Sequence, residues 1–257
     1  MTVPERVIEV GDCVFPCEEL LGRAEWTPAW DAAEIAREIG PSLITGGAGS
    51  IGSVLAAHLA AFGVPVCIAD ADERAMDALA RTLPPSKSVV YRLCDVADAL
   101  QVYDAISAFQ PRTIFHLAAK KHVKYAEPAV RNAVMTNVVG TWNAVNAARK
   151  SECVCNVVCA SSDKAVAAAN VLGHTKRAAE RLTTAFAREW TRGRVASVRL
   201  CNVLGTAGNV LLAFTADGKQ ALVANHGEGT ISVIDLKDAK VSNTFTAGTG
   251  IETLAFY

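Results

Sequence analysis

From residue 41 to about 205, short apolar runs alternate with longer segments rich in alanine and leucine, and this alternation constrains the fold more than any other feature. The apolar runs are Ser42–Thr45, Val64–Ala69, Ser88–Leu93, Thr113–Leu117, Val154–Ala160 and Val195–Cys201. Between them, Ser50–Phe62, Asp72–Thr82, Ala97–Phe109, Pro128–Lys150 and His174–Trp190 carry polar residues at helical spacing. A strand followed repeatedly by a helix makes the strands parallel, with helices covering both faces of the sheet. Right-handed crossovers then predict an α/β fold with a doubly wound parallel, Rossmann-like sheet.

The ends of the chain read differently. Residues 1–40 form a lead-in, predicted as a short loop and one helix with Asp31 as its cap. After residue 209 the sequence contains neither Cys nor Pro. Asp217-Gly218 and Gly227-Glu228-Gly229 are turn signals flanked by the alternating runs Ala221–Ala224, Thr230–Asp235 and Val241–Thr246. That pattern predicts a C-terminal antiparallel β-meander. The expected division is therefore 1–40, 41–209 and 210–257.

Composition narrows the classes of function. The formal net charge is -1, which gives no general field to draw nucleic acid or an anionic membrane. Hydrophobic residues make up 51% and charged residues 20%, a core-forming balance. The longest uncharged apolar stretch, from Val54 to Ala69, is broken by His58, Gly63 and Pro65, so no membrane span is expected. The opening MTVPERVIEV lacks the basic-then-apolar layout of a secretion signal, and a soluble cytoplasmic protein is the expectation. Of the eight cysteines, most sit in strand-like runs and read as small buried hydrophobes; Cys13 and Cys17 receive no role. Cys153-x-Cys155-x-x-x-Cys159 lacks the paired spacing of a zinc site, and no metal is expected.

The first apolar run leads into Gly46-Gly47-Ala48-Gly49-Ser50-Ile51-Gly52 and then a helix, a GxxGxxG pattern in a strand–turn–helix context. Glycines permit a tight turn and close approach of backbone to a pyrophosphate, and the helix start supplies free N–H groups at the positive end of its dipole. Asp70 ends the next strand, where a carboxylate accepts hydrogen bonds from a ribose 2′-hydroxyl. Asp70 favours NAD; Arg74, four residues on, could offset it, so NAD and NADP both stay open. Val154–Ala160 leads into Ser161-Ser162-Asp163-Lys164, polar residues at the carboxyl end of a parallel strand, where ligands bind. Lys176 on the following helix could reach the same crevice. Lys120, Lys121 and Lys124 could hold a substrate phosphate or form a solvated loop.

The stretches EELLGR, TGGAGSIG, FHLAAKKHV, Glu127-Pro128, TNVVGT, SSDKAV, NVLGHTKR and VRLCNVLG, from about 18 to 209, resemble the extended short-chain dehydrogenase/reductase family. Within it they resemble most the bacterial 4,6-dehydratases of polysaccharide biosynthesis, which act on UDP-N-acetylglucosamine. The resemblance implies that Thr45, Gly46, Gly49, Ser50, Ile51 and Gly52 form the cofactor loop. It also implies that Asp70 and Asp95 contact the adenosine, that Ala118, Ala119 and Lys120 form the wall beside the cofactor, and that Asn137 supports the active site. Ser162 looks like the catalytic hydroxyl, Asp163 and Lys164 like the acid and base, and Lys176 like the lysine on the nicotinamide ribose. Lys121 and Asn202 look like substrate contacts. The implied reaction is loss of water from a UDP-sugar through oxidation at C4, and it needs an acid and a base whose pKa values burial moves toward neutrality. Leu172 stands where this family usually has tyrosine, and the tail replaces the segments that close the sugar-nucleotide pocket. The alternatives are therefore an impaired dinucleotide-binding remnant and an interaction module. The tail itself resembles a single YVTN-type β-propeller repeat, with Leu222-Val223-Ala224-Asn225 at the tetrad. Such a blade must dock, stay loose or oligomerise, and a homo-oligomer stays open.

Overall fold

In a computed structural model, which describes residues 7–10, 13–16, 31–200, 211–214, 217, 219–225, 230–238 and 240–246, the chain divides into two units. One unit is Trp30–Cys201, and the other joins Met1–Ala29 to Asn202–Tyr257.

Among the described residues, the first unit holds a six-stranded parallel sheet built from β3 (Ser42–Thr45), β4 (Val66–Asp70), β5 (Val89–Leu93), β6 (Thr113–His116), β7 (Asn156–Ser162) and β8 (Arg194–Leu200). The strand order is β5-β4-β3-β6-β7-β8. The order reverses between β3 and β6, which pair from Ser42↔Thr113 to Thr45↔His116. The carboxyl ends of these two strands border the crevice in which a doubly wound sheet takes its ligand.

Successive residues of β3 and β4 point to opposite faces of the sheet. Leu43 and Cys67 join one apolar cluster, with Val102 and Ile106 of α4 (Ala99–Phe109) and Val145 of α7 (Gly140–Lys150). Ile44 and Ile68 join another, with Ala36 of α1 (Ala32–Ile39) and Ala56 and Leu59 of α2 (Ser50–Ala61). Both faces are covered, so these strands carry unbroken apolar runs. Each fully buried Leu or Ile contributes roughly 1.5–3 kcal/mol.

The helices begin where side chains cap them. Asp31 accepts from Ala33 N–H ahead of α1, and Asp72 from Arg74 and Ala75 ahead of α3 (Glu73–Thr82). Asp98 serves α4 in the same way, and Asn170 accepts from Gly173 N–H at the start of α8 (Val171–Glu189). The predicted helix 128–150 runs unbroken over 130–150 but changes its hydrogen-bond spacing midway. It comprises α6 (Val130–Val134), a π-helical turn at Met135–Val139, and α7. The preceding loop contains the single turn α5 (Val123–Ala126).

In the other unit, β9 (Leu211–Phe214), β10 (Gln220–Asn225), β11 (Thr230–Asp235) and β12 (Lys240–Thr246) form an antiparallel sheet in the order β12-β11-β10-β9. The meander thus has one strand more than its alternating runs indicated. The lead-in holds an antiparallel strand pair, β1 (Val7–Val10) with β2 (Cys13–Pro16), which the sequence pattern did not indicate. EELLGR, Cys17, Trp26, Trp30, Cys201, Asn202 and the Gly227-Glu228-Gly229 turn lie outside the described residues. Among the described residues, no helix is long and apolar enough to cross a membrane.

Candidate functional site

The glycine loop sits at the carboxyl end of β3, against the chain leaving β6. Gly46 has φ 68°, and a Cβ there would lie 2.6 Å from the backbone N of Ala118. A Cβ on Gly52 would collide with the Gly46 carbonyl oxygen. Only glycine lets these segments meet so closely. The next helix, α2, differs from its neighbours at its start: its N-cap is Gly49, without a side-chain hydrogen bond, and its first turn carries no acid. Its leading N–H groups therefore have no side-chain acceptor, and they lie at the positive end of the helix dipole. A tight backbone cradle ending in an uncapped helix suits a diphosphate, so these residues fit a dinucleotide.

Asp70, the last residue of β4, ties down this loop. One carboxylate oxygen accepts from Ala48 N–H at 3.0 Å, the other from Asp72 N–H at 3.0 Å. Each oxygen keeps lone-pair capacity for a further donor. Asp95 accepts from Ala97 N–H at 2.9 Å and shapes the turn before α4. Ile51 is exposed at the start of α2, and Ser50 is partly exposed beside it. Thr45, expected on the cofactor loop, is 1% exposed, and its side chain bonds His116 Nδ1 at 2.8 Å instead.

Across the crevice, Asn137 lies in the middle of the π-helical turn and is buried. Its Oδ1 accepts from Lys120 N–H at 2.8 Å, and its Nδ2 donates to Lys120 O at 3.1 Å and to Thr175 Oγ1 at 3.0 Å. One side chain thus clamps the Ala118-Ala119-Lys120 wall to α8, one residue before Lys176. Lys176 Nζ donates to the Ala160 carbonyl at 2.9 Å. Burial of its ammonium drives its pKa down to about 8, against smaller opposing effects of Cys159 and Glu180. Lys121 is exposed. Lys124 Nζ lies 4.9 Å from the Tyr125 ring centroid.

Ser162 ends β7, and Asp163–Ala165 form a 3-10 turn. Ser162 Oγ donates to Asp163 Oδ1 at 2.7 Å, and Lys164 Nζ stands 3.6 Å from the same oxygen. The Ser162 hydroxyl is the largest influence on Asp163, whose carboxyl is held below the ordinary carboxylate range. The expected acid with a pKa raised by burial is therefore not met at Asp163, because its side chain is 48% exposed and already accepts hydrogen bonds. Lys176, not Asp163, is moved toward neutrality. Leu172 is buried against Ala126 and Ala133 and offers no hydroxyl to the crevice.

Sequence reasoning assigned no role to His116. It is buried at the end of β6, and its Nε2 lies 3.2 Å from Thr141 Oγ1. Desolvation, and then the charge of Lys176, press its pKa down to about 3. The usable signal was its place as the last residue of a strand covered on both faces.

The sequence and the fold are similar to those of known proteins. Residues 42–235 match the family described as polysaccharide biosynthesis protein. The probable polysaccharide biosynthesis protein EpsC of Bacillus subtilis is 34% identical over 204 residues, covering 77% of this chain and 33% of EpsC. The UDP-glucose 4-epimerase of Rickettsia rickettsii is 31% identical over 185 residues, covering 69% of this chain and 53% of the epimerase. The Bordetella bronchiseptica enzyme WbmG, solved in complex with NAD and UDP, superposes with a TM-score of 0.55 at 25% identity, covering 65% of this chain and 55% of that one. The chain thus spans about a third of the length of EpsC. With three quarters of its length matched, the chain belongs to the polysaccharide biosynthesis protein family.

Proposed function

We propose that the Trp30–Cys201 unit binds NAD or NADP across the β3–β6 crevice and acts on a UDP-sugar as a nucleotide-sugar 4,6-dehydratase or epimerase, with UDP-N-acetylglucosamine the favoured substrate. The observation that carries this reading is the glycine cradle, closed against Ala118 and ending in the uncapped start of α2, at the reversal of strand order. The NAD and UDP held by WbmG and the activity named for the Rickettsia epimerase support it. When bound, the dinucleotide supplies acceptance of hydride from the sugar and its return.

The chain's own residues then have distinct tasks. The backbone of Gly46–Gly52 holds the diphosphate, and Asp70 accepts from the adenosine ribose. Lys176, directed by its bond to the Ala160 carbonyl, donates to the nicotinamide ribose. Ser162 faces the sugar. Asp163 is ionised in the free protein, so it first takes a proton from the Lys164 ammonium, 3.6 Å away, and then protonates the departing C6 hydroxyl, with Lys164 left neutral as the base. Lys164 takes the proton from C5. The same reading assigns 41–209 to the cofactor domain, 1–40 to a lead-in and 210–257 to a blade-like β-meander.

One observation favours a second reading. Leu172 fills an apolar pocket where a proton-transferring tyrosine is expected, which supports a dinucleotide-binding protein that does not turn over. Incubation with UDP-N-acetylglucosamine and NAD+ or NADP+, followed by mass spectrometry, separates the two. A sugar nucleotide lighter by one water supports the first reading. Dinucleotide binding by calorimetry without that product supports the second, and absence of binding rejects both.

A further inference from the structure

The hydrogen bonds around His116 form a single directed chain when each hydroxyl gives its proton to its nearest acceptor. Thr141 Oγ1 donates to the Asn137 carbonyl at 2.7 Å, so its one proton is committed. Towards His116 Nε2, 3.2 Å away, Thr141 can then only accept, which puts the ring proton on Nε2. A neutral ring leaves Nδ1 as an acceptor, and the Thr45 hydroxyl donates to it at 2.8 Å. On the far side, Thr175 Oγ1 commits its proton to the Leu172 carbonyl at 2.9 Å and accepts from Asn137 Nδ2. The chain thus runs from the last residue of β3, immediately before Gly46, to the residue immediately before Lys176. Thr45, His116, Asn137, Thr141 and Thr175 are all buried, so water does not compete for these bonds.

We propose that His116 is a positioning residue: held as the neutral Nε2–H tautomer, it couples the glycine cradle at the end of β3 to the Lys120 wall and to the start of α8 that carries Lys176. This rests on the reading of the crevice as a dinucleotide site for its catalytic meaning, though the coupling itself does not need a ligand. Protonation would place a second N–H toward Thr45, force that hydroxyl to turn, and bury a cation whose charged neighbour is Lys176 on α8. Lys176 is itself flanked by Cys159 of β7 and Glu180 of α8.

The test uses the full chain and needs no substrate. In 15N-histidine spectra at pH 6, His116 is expected as a neutral ring with the proton on Nε2. In Thr141→Val, which keeps the shape and removes the hydroxyl, amide hydrogen exchange is expected to rise at least ten-fold both at the hydrogen-bonded amides of Gly47–Gly49 and at Lys120, with β4 unchanged. Thr141→Ser restores the hydroxyl and is expected to return both sites to the wild-type rate. An imidazolium or Nδ1–H form of His116, or faster exchange confined to α7, overturns the coupling. His116→Gln, read the same way, covers a valine variant that fails to fold. Calorimetry with NAD+ on the wild-type protein separates the two ideas. Coupling without NAD+ binding removes the proposed function and leaves the coupling in place.

Discussion

A single Cβ decides the fate of the cradle. Gly46→Ala puts a methyl 2.6 Å from the Ala118 backbone at φ 68°, a conformation that L residues adopt at a cost of roughly 1–2 kcal/mol before any clash. The expected outcome is a lower thermal midpoint together with at least a ten-fold loss of NAD+ affinity, read by calorimetry. Two buried bases act in opposite pH ranges. His116 has a folded pKa of about 3, below its ordinary 6.5. The unfolded chain therefore binds the extra proton, and stability is lost as pH falls from 6.5 toward 3. His116→Gln should flatten that acid slope in urea titrations at pH 7 and 4.5, by on the order of 2 kcal/mol. Lys176 falls from 10.5 to about 8, so here too the unfolded chain binds more protons, and stability rises as pH climbs through that interval. Lys176→Met should remove this rise and, by deleting a charge that presses on His116, make the acid limb shallower.

At the level of elements, the π-helical turn has a clear task. By inserting an extra residue in the turn, it aims Asn137 at Lys120 and Thr175. Asn137→Ala strips both backbone groups of Lys120 of their partner in a part-buried place and should cost about 2 kcal/mol in urea unfolding. Asp72→Ala, which removes only an exposed cap, should cost about 1 kcal/mol. The contrast between the two elements also marks what sequence could tell. Caps are local chemistry, so Asp31 was readable, and β3 with its glycine loop was read at Ser42–Thr45, where it stands. The π turn was not readable, because TNVV carries ordinary helical spacing and the distortion follows from bonds to residues distant in the chain. His116 escaped for a related reason: every position in a strand covered on both faces is buried, so apolar pattern does not separate a structural ring from its neighbours. The β1–β2 pair left only a faint trace, Gly11-Asp12 between two short apolar runs, which the neighbouring prolines obscured.

For the molecule as a whole, the division at Trp30 and Cys201 predicts that residues 30–201 unfold cooperatively on their own, with a midpoint within a few degrees of the full chain by circular dichroism. A broad, non-cooperative transition would show that the remaining residues complete its core. Family membership places the chain beside proteins such as EpsC, of which it spans a third, while every part of the phosphate cradle, the Lys120 wall and the serine-lysine turn lies inside this one unit. The glycine that opens α2 carries the last consequence. Gly49 has ordinary backbone angles, φ -73° and ψ 170°, which serine also adopts. Serine there would give the helix a permanent partner of its own, firming the empty protein by roughly 0.3 kcal/mol while contesting the same amides with any guest. Robustness and receptivity are thus set against each other at one position, and this chain has the residue that favours the guest.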